Sequence, residues 1–355
     1  MNKSLVYLSG IFLLCLILAC PVQAQEKYPV KGWEFSNPAK HGYDSAKLEE
    51  AHKYIVDSMN TTGLVVVVGG EIIFRYGNIE QVSYLASCRK SLLSMLYGKY
   101  VENGTIDLNK TIADLGFDDV GGLLPVEKTA KVQHLITARS GVYHIASNLG
   151  DDRKNAPPRG SKKPGEYYLY NNWDFNVAGA AFEKMTGRNI FNAFQTDIAE
   201  PVGMEDFDRS LHVKGGDLSI SKYPSYHFHL STRDMARVGY LMLRNGTWNG
   251  EQVVSPEWVK RITSVVTPLE EMHPVTRKTG EFGYGYMWWI FQGEANTGAF
   301  AGGYTARGAV GQFITVLPAA DMVVAHKTDA VYERSTIWRT YYKLLHLITG
   351  ARISK

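Results

Sequence analysis

Strand-forming residues sit at the two ends of this 355-residue chain, with helical and loop sequence between them. Near the start, Leu64-Val-Val-Val-Val68, Gly69-Gly70 and Ile72-Ile-Phe74 read as a β-hairpin around a tight glycine turn. Near the end, Tyr286–Phe291, Phe300–Tyr304, Gln312–Leu317 and Met322–His326 are short segments rich in β-formers. Strands at both ends predict one split sheet with a helical part inserted, about 25–86 and 284–355 for the sheet and 87–283 for the helices. A cleft between two such parts is a common ligand site.

Helical periodicity fills in the layers. Leu48, Ala51, Ile55 and Met59 line one face of a helix starting near Asp44. A second helix begins at about Ser87, with Leu93, Leu96, Tyr97 and Tyr100 as its buried stripe and Asn103-Gly104 as its stop. Further helices run from Trp173 to Met185, closed by Gly187, and from Thr232 to Arg244, closed by Asn245-Gly246. The last carries Ile337, Tyr341, Leu344, Leu345 and Ile348.

The first residues read as an export signal. Lys3 supplies the positive charge, Leu5 to Ala19 is almost wholly apolar, and Val22-Gln23-Ala24 fits a small-residue cleavage site. Residues 1–24 are thus expected to be a signal peptide and 25–355 a mature exported protein, periplasmic or secreted. Ile17-Leu18-Ala19-Cys20 also resembles a lipobox, so a lipid anchor at Cys20 is the alternative. Cleavage after Ala24 leaves Cys88 alone and excludes an internal disulfide. No later segment is long enough for an integral membrane span. A formal charge of +3, with no basic stripe, gives no argument for nucleic acid.

Ser87 and Lys90 are three residues apart, which on a helix puts both side chains on one face. A serine there can pass its proton to a lysine whose pKa burial has lowered. The free N–H groups of a helix start can hold the resulting oxyanion. Cys88, roughly 100° round the helix, cannot share that face and reads as a small core residue. Ser219 and Lys222 repeat the spacing, but Pro224 follows at once with no helical stripe. There is no Gly-x-Ser-x-Gly elbow and no zinc-ligand spacing, so neither a metal nor another cofactor is expected.

Pro164-Gly-Glu-Tyr-Tyr-Leu-Tyr-Asn-Asn172 leads into the helix at Trp173, and Tyr170-x-Asn172 offers a phenol and an amide. With these two motifs the chain resembles the serine β-lactamase and penicillin-binding-protein superfamily, in its class C β-lactamase-related branch of esterases, D-peptidases and nylon-dimer hydrolases. The likeness extends over Tyr100-Val-Glu-Asn-Gly-Thr-Ile-Asp-Leu108, His134-Leu-Ile-Thr-Ala-Arg-Ser-Gly141, Met185-Thr-Gly187, His229-Leu-Ser-Thr-Arg-Asp-Met-Ala-Arg237 and Tyr284-Gly-Tyr-Met-Trp-Trp289. It implies an α/β (α+β) fold: an antiparallel sheet flanked by N- and C-terminal helices, with an inserted helical domain.

The family's third motif is Lys or His, then Thr, then Gly, on the strand bordering the site. Lys278-Thr279-Gly280 copies it literally but precedes too many predicted strands. Counting back from the C-terminal helix places the motif at Ala306-Arg307-Gly308, followed by Ala309. The cation that in the family helps hold a substrate carboxylate is therefore missing at Ala306. Arg307 is a possible replacement, although on a strand it should point away from its neighbours' face.

The resemblance implies a serine hydrolase that cleaves a small or peptide-like ester or amide through an acyl-enzyme. Ser87 would be the nucleophile, Lys90 and Tyr170 the base and proton relay, and Asn172 the orienting amide. The amides of Ser87 and Gly308 or Ala309 would form the oxyanion hole. Tyr143, His144 and His229 are candidate substrate contacts. The departure at Ala306 favours an esterase or amidase over a β-lactamase or D,D-peptidase, with a non-catalytic penicillin-binding-like sensor as the third alternative.

Overall fold

The computed structural model describes residues 27–30, 32–148 and 150–353. The expected signal peptide and Cys20 lie outside them. The hairpin forms as β1, Gly63–Val68, and β2, Glu71–Gly77. Gly69 and Gly70 between them have φ of 58° and 82°, the left-handed pair that a two-residue hairpin turn requires. The C-terminal strands are β3, Phe282–Tyr284; β4, Trp289–Phe291; β5, Tyr304–Gly308; β6, Gln312–Leu317; and β7, Met322–Lys327. All seven form one sheet in the order β2-β1-β7-β6-β5-β4-β3. The split is closed where β1 runs antiparallel to β7, with Val66 opposite Val324.

β1, β6 and β7 are buried along their whole length, so both faces of the sheet are covered. On one face lie helices α1, Ser45–Ser58, and α5, Trp338–Gly350, which pack on each other. Tyr341 of α5 stacks on Phe313 with ring centroids 4.2 Å apart, and its hydroxyl lies 2.9 Å from Thr315 Oγ1. On the other face lies α4, Thr232–Leu243, against β7, β6 and β1. This helix falls within the span read as the helical part, yet it belongs to the sheet layer. Gly239 allows the contact, since a Cβ there would stand 2.4 Å from Val323 Cγ1.

Between β2 and α4 the chain builds the helical part around α2, Cys88–Glu102, and α3, Asn172–Thr186. α2 is not one-sided. Arg89, Lys90, Ser91 and Ser94 are buried together with Leu93, Leu96 and Tyr97. Tertiary partners hold the two serines: Ser91 Oγ donates to Met287 O at 2.7 Å and Ser94 Oγ to Tyr286 O at 2.6 Å. The helix runs through the core, with its start against β5 and β6.

Three local expectations differ from the structure. Of the segment expected as a strand over Tyr286–Phe291 only Trp289–Phe291 is one, because Met287, with φ of 62°, turns the chain between β3 and β4. Residues 298–300 form a 3₁₀ turn, and the strand expected at Phe300–Tyr304 begins only at Tyr304, after Gly302 and Gly303. Ile337 is 61% exposed and precedes α5. Among the described residues no helix is long and apolar enough to cross a membrane.

The close seat of α4 on the sheet makes a stability prediction. Gly239→Val should destabilise the protein by about 2 kcal/mol through overpacking against Val323. Urea unfolding would show this as a lower midpoint at unchanged slope.

Candidate active site

The site begins with a strained turn. Ala86 has φ of 48°, an unusual value for a residue with a Cβ, and it turns the chain from Leu85 into α2. Ser87 occupies the N-cap position, but its side chain makes no cap hydrogen bond and faces Lys90 instead. Gly308 packs behind the turn, where a Cβ would lie 2.5 Å from the Leu85 carbonyl oxygen. A larger residue at that point of β5 would push the strand away from Ser87.

Lys90 is 1% exposed. Its Nζ lies 3.1 Å from Ser87 Oγ, 2.5 Å from Tyr170 OH and 2.8 Å from Asn172 Oδ1. The rings of Tyr170 and Phe175 stand 4.1 and 4.4 Å from the nitrogen. Burial holds the lysine well below its ordinary pKa, and repulsion from Arg89 adds to this. Asp151, Cys88 and Asp152 pull the other way. Tyr170 is pushed up to about 12, again by burial, against opposing effects of Ser87, Arg89 and Arg277. Both groups are thus driven toward their neutral forms.

Tyr170 and Asn172 come from the end of the 164–172 loop and the start of α3. Asn171 caps that helix by accepting from the Trp173 N–H at 3.1 Å. Two consecutive aspartates strap the segment. Asp151 Oδ2 accepts from the Asn172 N–H at 2.9 Å, and the Asp152 N–H donates to the Tyr170 carbonyl at 2.9 Å. The Asp152 carboxylate in turn holds Arg277, with Nε at 2.9 Å and Nη2 at 2.5 Å.

Ser87 opens into a cleft of about 330 Å³. Tyr170, Arg277, Trp289, Arg307, Gly308 and Ala309 line it, and Ile337 and Trp338 form the far wall. Among the described residues neither the Ser87 N–H nor the Ala309 N–H has a backbone acceptor, so both are available at the cleft. Arg307 is held among Trp338, Trp289 and Phe282, with ring centroids 4.7 to 5.0 Å from its guanidinium carbon. Thr305, two residues earlier on the strand, bonds to Thr315 on the α5 face, so Arg307 emerges on that side and reaches the cleft over the strand's end.

The other polar candidates stand away from the cleft lining. His144 lies 2.8 Å from the Ile145 and Val120 carbonyls, one at each ring nitrogen, and packs beside Trp173. Tyr143 is buried against Tyr167. His229 pairs with Tyr84 in a two-stranded ribbon and faces His212. Lys278, Thr279 and Gly280 line a separate hollow with Glu281 and Tyr342, in the loop ahead of β3.

Sequence reading missed Arg277, Asp151, Asp152 and the position of Trp289 beside Tyr170. Trp289 lay within a stretch already noted, but nothing local in the sequence marks its role. Arg277 directly precedes the discarded Lys278 motif, and its partner Asp152 is 125 residues distant.

A family profile described as Beta-lactamase matches residues 53–345. An uncharacterised protein of Alkalihalophilus pseudofirmus is 27% identical over 231 residues, 58% of this chain and 60% of that protein. A Penicillium citrinum enzyme named ML-236A carboxylate methylbutanoyltransferase is 28% identical over 161 residues, 37% of this chain and 38% of its own length. The matches thus span less than two thirds of these curated relatives. A Bacillus anthracis structure named for 6-aminohexanoate-dimer hydrolysis superposes with a TM-score of 0.64 at 20% identity, covering 84% of this chain and 81% of the other. EstCE1, a hydrolase with promiscuous acyltransferase activity, gives 0.62 at 16% identity, covering 87% and 98%. A penicillin-binding-protein homologue of Caulobacter crescentus gives 0.62 at 15%, covering 86% and 97%. At these identities the structures establish a shared fold.

The surroundings of Cys88 make a direct prediction. Its Sγ donates to the Gln312 carbonyl at 3.3 Å, and burial raises its pKa far above that of a free thiol. Iodoacetamide should therefore leave native Cys88 unmodified by intact mass and alkylate it only after denaturation.

Proposed function

The chain belongs to the beta-lactamase family of serine hydrolases, and from that premise we propose that it cleaves an ester or linear amide through an acyl-enzyme on Ser87. The observation that carries this reading is the position of the Lys90 amine, out of water and within reach of Ser87, Tyr170 and Asn172 at once.

A buried lysine with a lowered pKa is an amine, and an amine can accept the serine proton. Ser87 Oγ attacks the substrate carbonyl carbon while its proton passes to Lys90 Nζ. The carbonyl oxygen becomes an oxyanion held by the Ser87 and Ala309 N–H groups. As the tetrahedral intermediate collapses, the Tyr170 phenol donates its proton to the leaving alcohol or amine. Tyr170 is then reprotonated from Lys90, and Asn172 keeps the amine aimed. Water repeats the attack on the acyl-Ser87 ester, releasing the acid and restoring the serine. Tyr170, held protonated by burial, suits the acid role better than the base role. Lys90 and Tyr170 share protons closely enough to titrate as a pair.

The absence of a cation at Ala306 supports an esterase or amidase over a β-lactamase or D,D-peptidase. The aromatic side of the cleft, Trp289 and Trp338 with Ile337, supports the same choice. Export, periplasmic or extracellular, remains part of the proposal and rests on residues 1–24 alone.

Ser87→Ala should lower turnover of an aryl ester by about a thousandfold or more, while Cys88→Ala keeps most of it. The reverse pattern would remove the assignment. A panel of aryl esters, linear amides and a chromogenic cephalosporin should show esters and amides preferred; efficient cephalosporin hydrolysis would reverse that ranking. An acyl adduct on Ser87 that persists in intact-mass spectra would instead identify a sensor.

The base assignment fixes the sign of the pH dependence. Lys90 works unprotonated, so kcat/KM should fall as pH drops through its lowered pKa and rise above it. Lys90→Arg, which stays protonated, should lose activity at every pH. A profile that stays flat through the acid range would sink Lys90 as the base.

A further inference from the structure

The two arginines of the cleft differ in how their charge is met. Arg277 is neutralised by Asp152, which binds it through Nε and Nη2. The Arg307 guanidinium, among the described residues, forms no hydrogen bond and no ion pair, and only aromatic faces hold it. Glu281 acts on it electrostatically, but its Oε2 accepts from Trp338 Nε1 at 3.2 Å. Both guanidinium carbons stand 5.0 Å from the Trp289 ring centroid, and both line the cleft that opens at Ser87.

A guanidinium has five donors, and Arg307, half-buried at the cleft, presents its own there without a protein acceptor among the described residues. Its planar fork matches a carboxylate with two parallel hydrogen bonds. Cation–π contacts hold the group in place but leave its N–H edge unused. We propose that Arg307, with Arg277 and the Trp289 and Trp338 indoles beside it, forms a carboxylate subsite, so that the substrate is an ester or amide bearing a carboxylate set away from the scissile bond. This rests on the Ser87 hydrolase reading above and adds the class of its substrate.

The location separates this subsite from the reacting groups. Ala306 and Gly308 face α2 and the Leu85 turn, whereas Arg307 leaves the strand on the α5 side. A carboxylate there would lie across Trp289 from Tyr170, whose ring centroid is 5.4 Å from that indole. Burial and the neighbouring Arg277 lower Arg307 to about 10, which still leaves it charged at neutral pH. A bound carboxylate would satisfy the group and relieve the repulsion between the two arginines.

The test compares matched esters within one enzyme preparation. p-Nitrophenyl hydrogen adipate and p-nitrophenyl hexanoate carry the same acyl length with and without a carboxylate. 4-Carboxyphenyl and 4-carbamoylphenyl hexanoate repeat the comparison on the leaving side. In one of the two pairs, wild type should favour the carboxylate by about tenfold or more in kcat/KM, chiefly through KM. Arg307→Gln should bring that ratio close to one, and Arg307→Lys should restore part of it. The ratio is read within each variant, so a change in folded fraction cancels. Ratios at or below one in both pairs for wild type would overturn the subsite, as would a ratio unchanged by Arg307→Gln. A panel with no Ser87-dependent hydrolysis would instead overturn the hydrolase reading on which it rests.

Discussion

A lysine amine held out of water, with no carboxylate among the described residues touching it, is the constraint on which this site depends. Burying an ammonium costs several kcal/mol unless a counter-charge is close. Here the three groups in contact with Lys90 are neutral oxygens, from Ser87, Tyr170 and Asn172. Asp151 and Asp152 exert their pull from further off and spend their hydrogen bonds on the backbone and on Arg277. An aspartate in direct contact would have secured the lysine as a permanent cation. Neutral partners hold it in place and leave its proton affinity low.

Such a residue has to be held by rigid surroundings, because water reaching the amine would restore its ordinary basicity. That accounts for the burial of α2 from Cys88 to Gly98. Gly98 admits Trp258 so closely that a Cβ would lie 2.5 Å from its Cδ1, and the indole N–H donates to the Ser94 carbonyl at 2.9 Å. Ser91 and Ser94 tie the same helix to the turn between β3 and β4. The loop carrying Tyr170 is fixed in the same way: Asn171 Nδ2 donates to the Val142 carbonyl at 2.7 Å, and Ser140 Oγ lies 2.5 Å from Asp174 Oδ1.

How much of this was legible follows from how local each signal is. The valine-rich hairpin, the strands at Gln312 and Met322 and the stops at Gly187 and Asn245 are written in neighbouring residues and fall where the pattern predicts. Ser87 and Lys90 share a helix face, so their spacing alone announces the contact. Tyr170 and Asn172 lie 80 and 82 residues from Lys90 in the chain, and only the family resemblance drew them together. The strand at Tyr304 was misplaced because Phe300 is as good a β-former as the residues after it, while Gly302 and Gly303 set the true start. Arg277 and Asp152 had no local signal, since neither residue type nor spacing announces a pair that folding alone brings together. The burial of Arg89, Ser91 and Ser94 had no local signal either, because a sequence does not display distant partners.

The placement of charge resolves an apparent contradiction in the third-motif strand. A cation at position 306 would project toward α2 and the Leu85 turn, where it would further lower the affinity of Lys90 for the serine proton. With alanine there, the field at the amine comes mainly from burial and from Arg89. The positive charge is carried instead at position 307, one residue on and through the sheet, where the aromatic rings of Trp289, Trp338 and Phe282 accommodate it. The alternation of a strand thus separates two tasks that a single cation would have to combine. In the proposed mechanism proton transfer keeps a dry setting without a cation at position 306, and in the proposed subsite the positive potential of the cleft acts on what the substrate carries beyond Trp289.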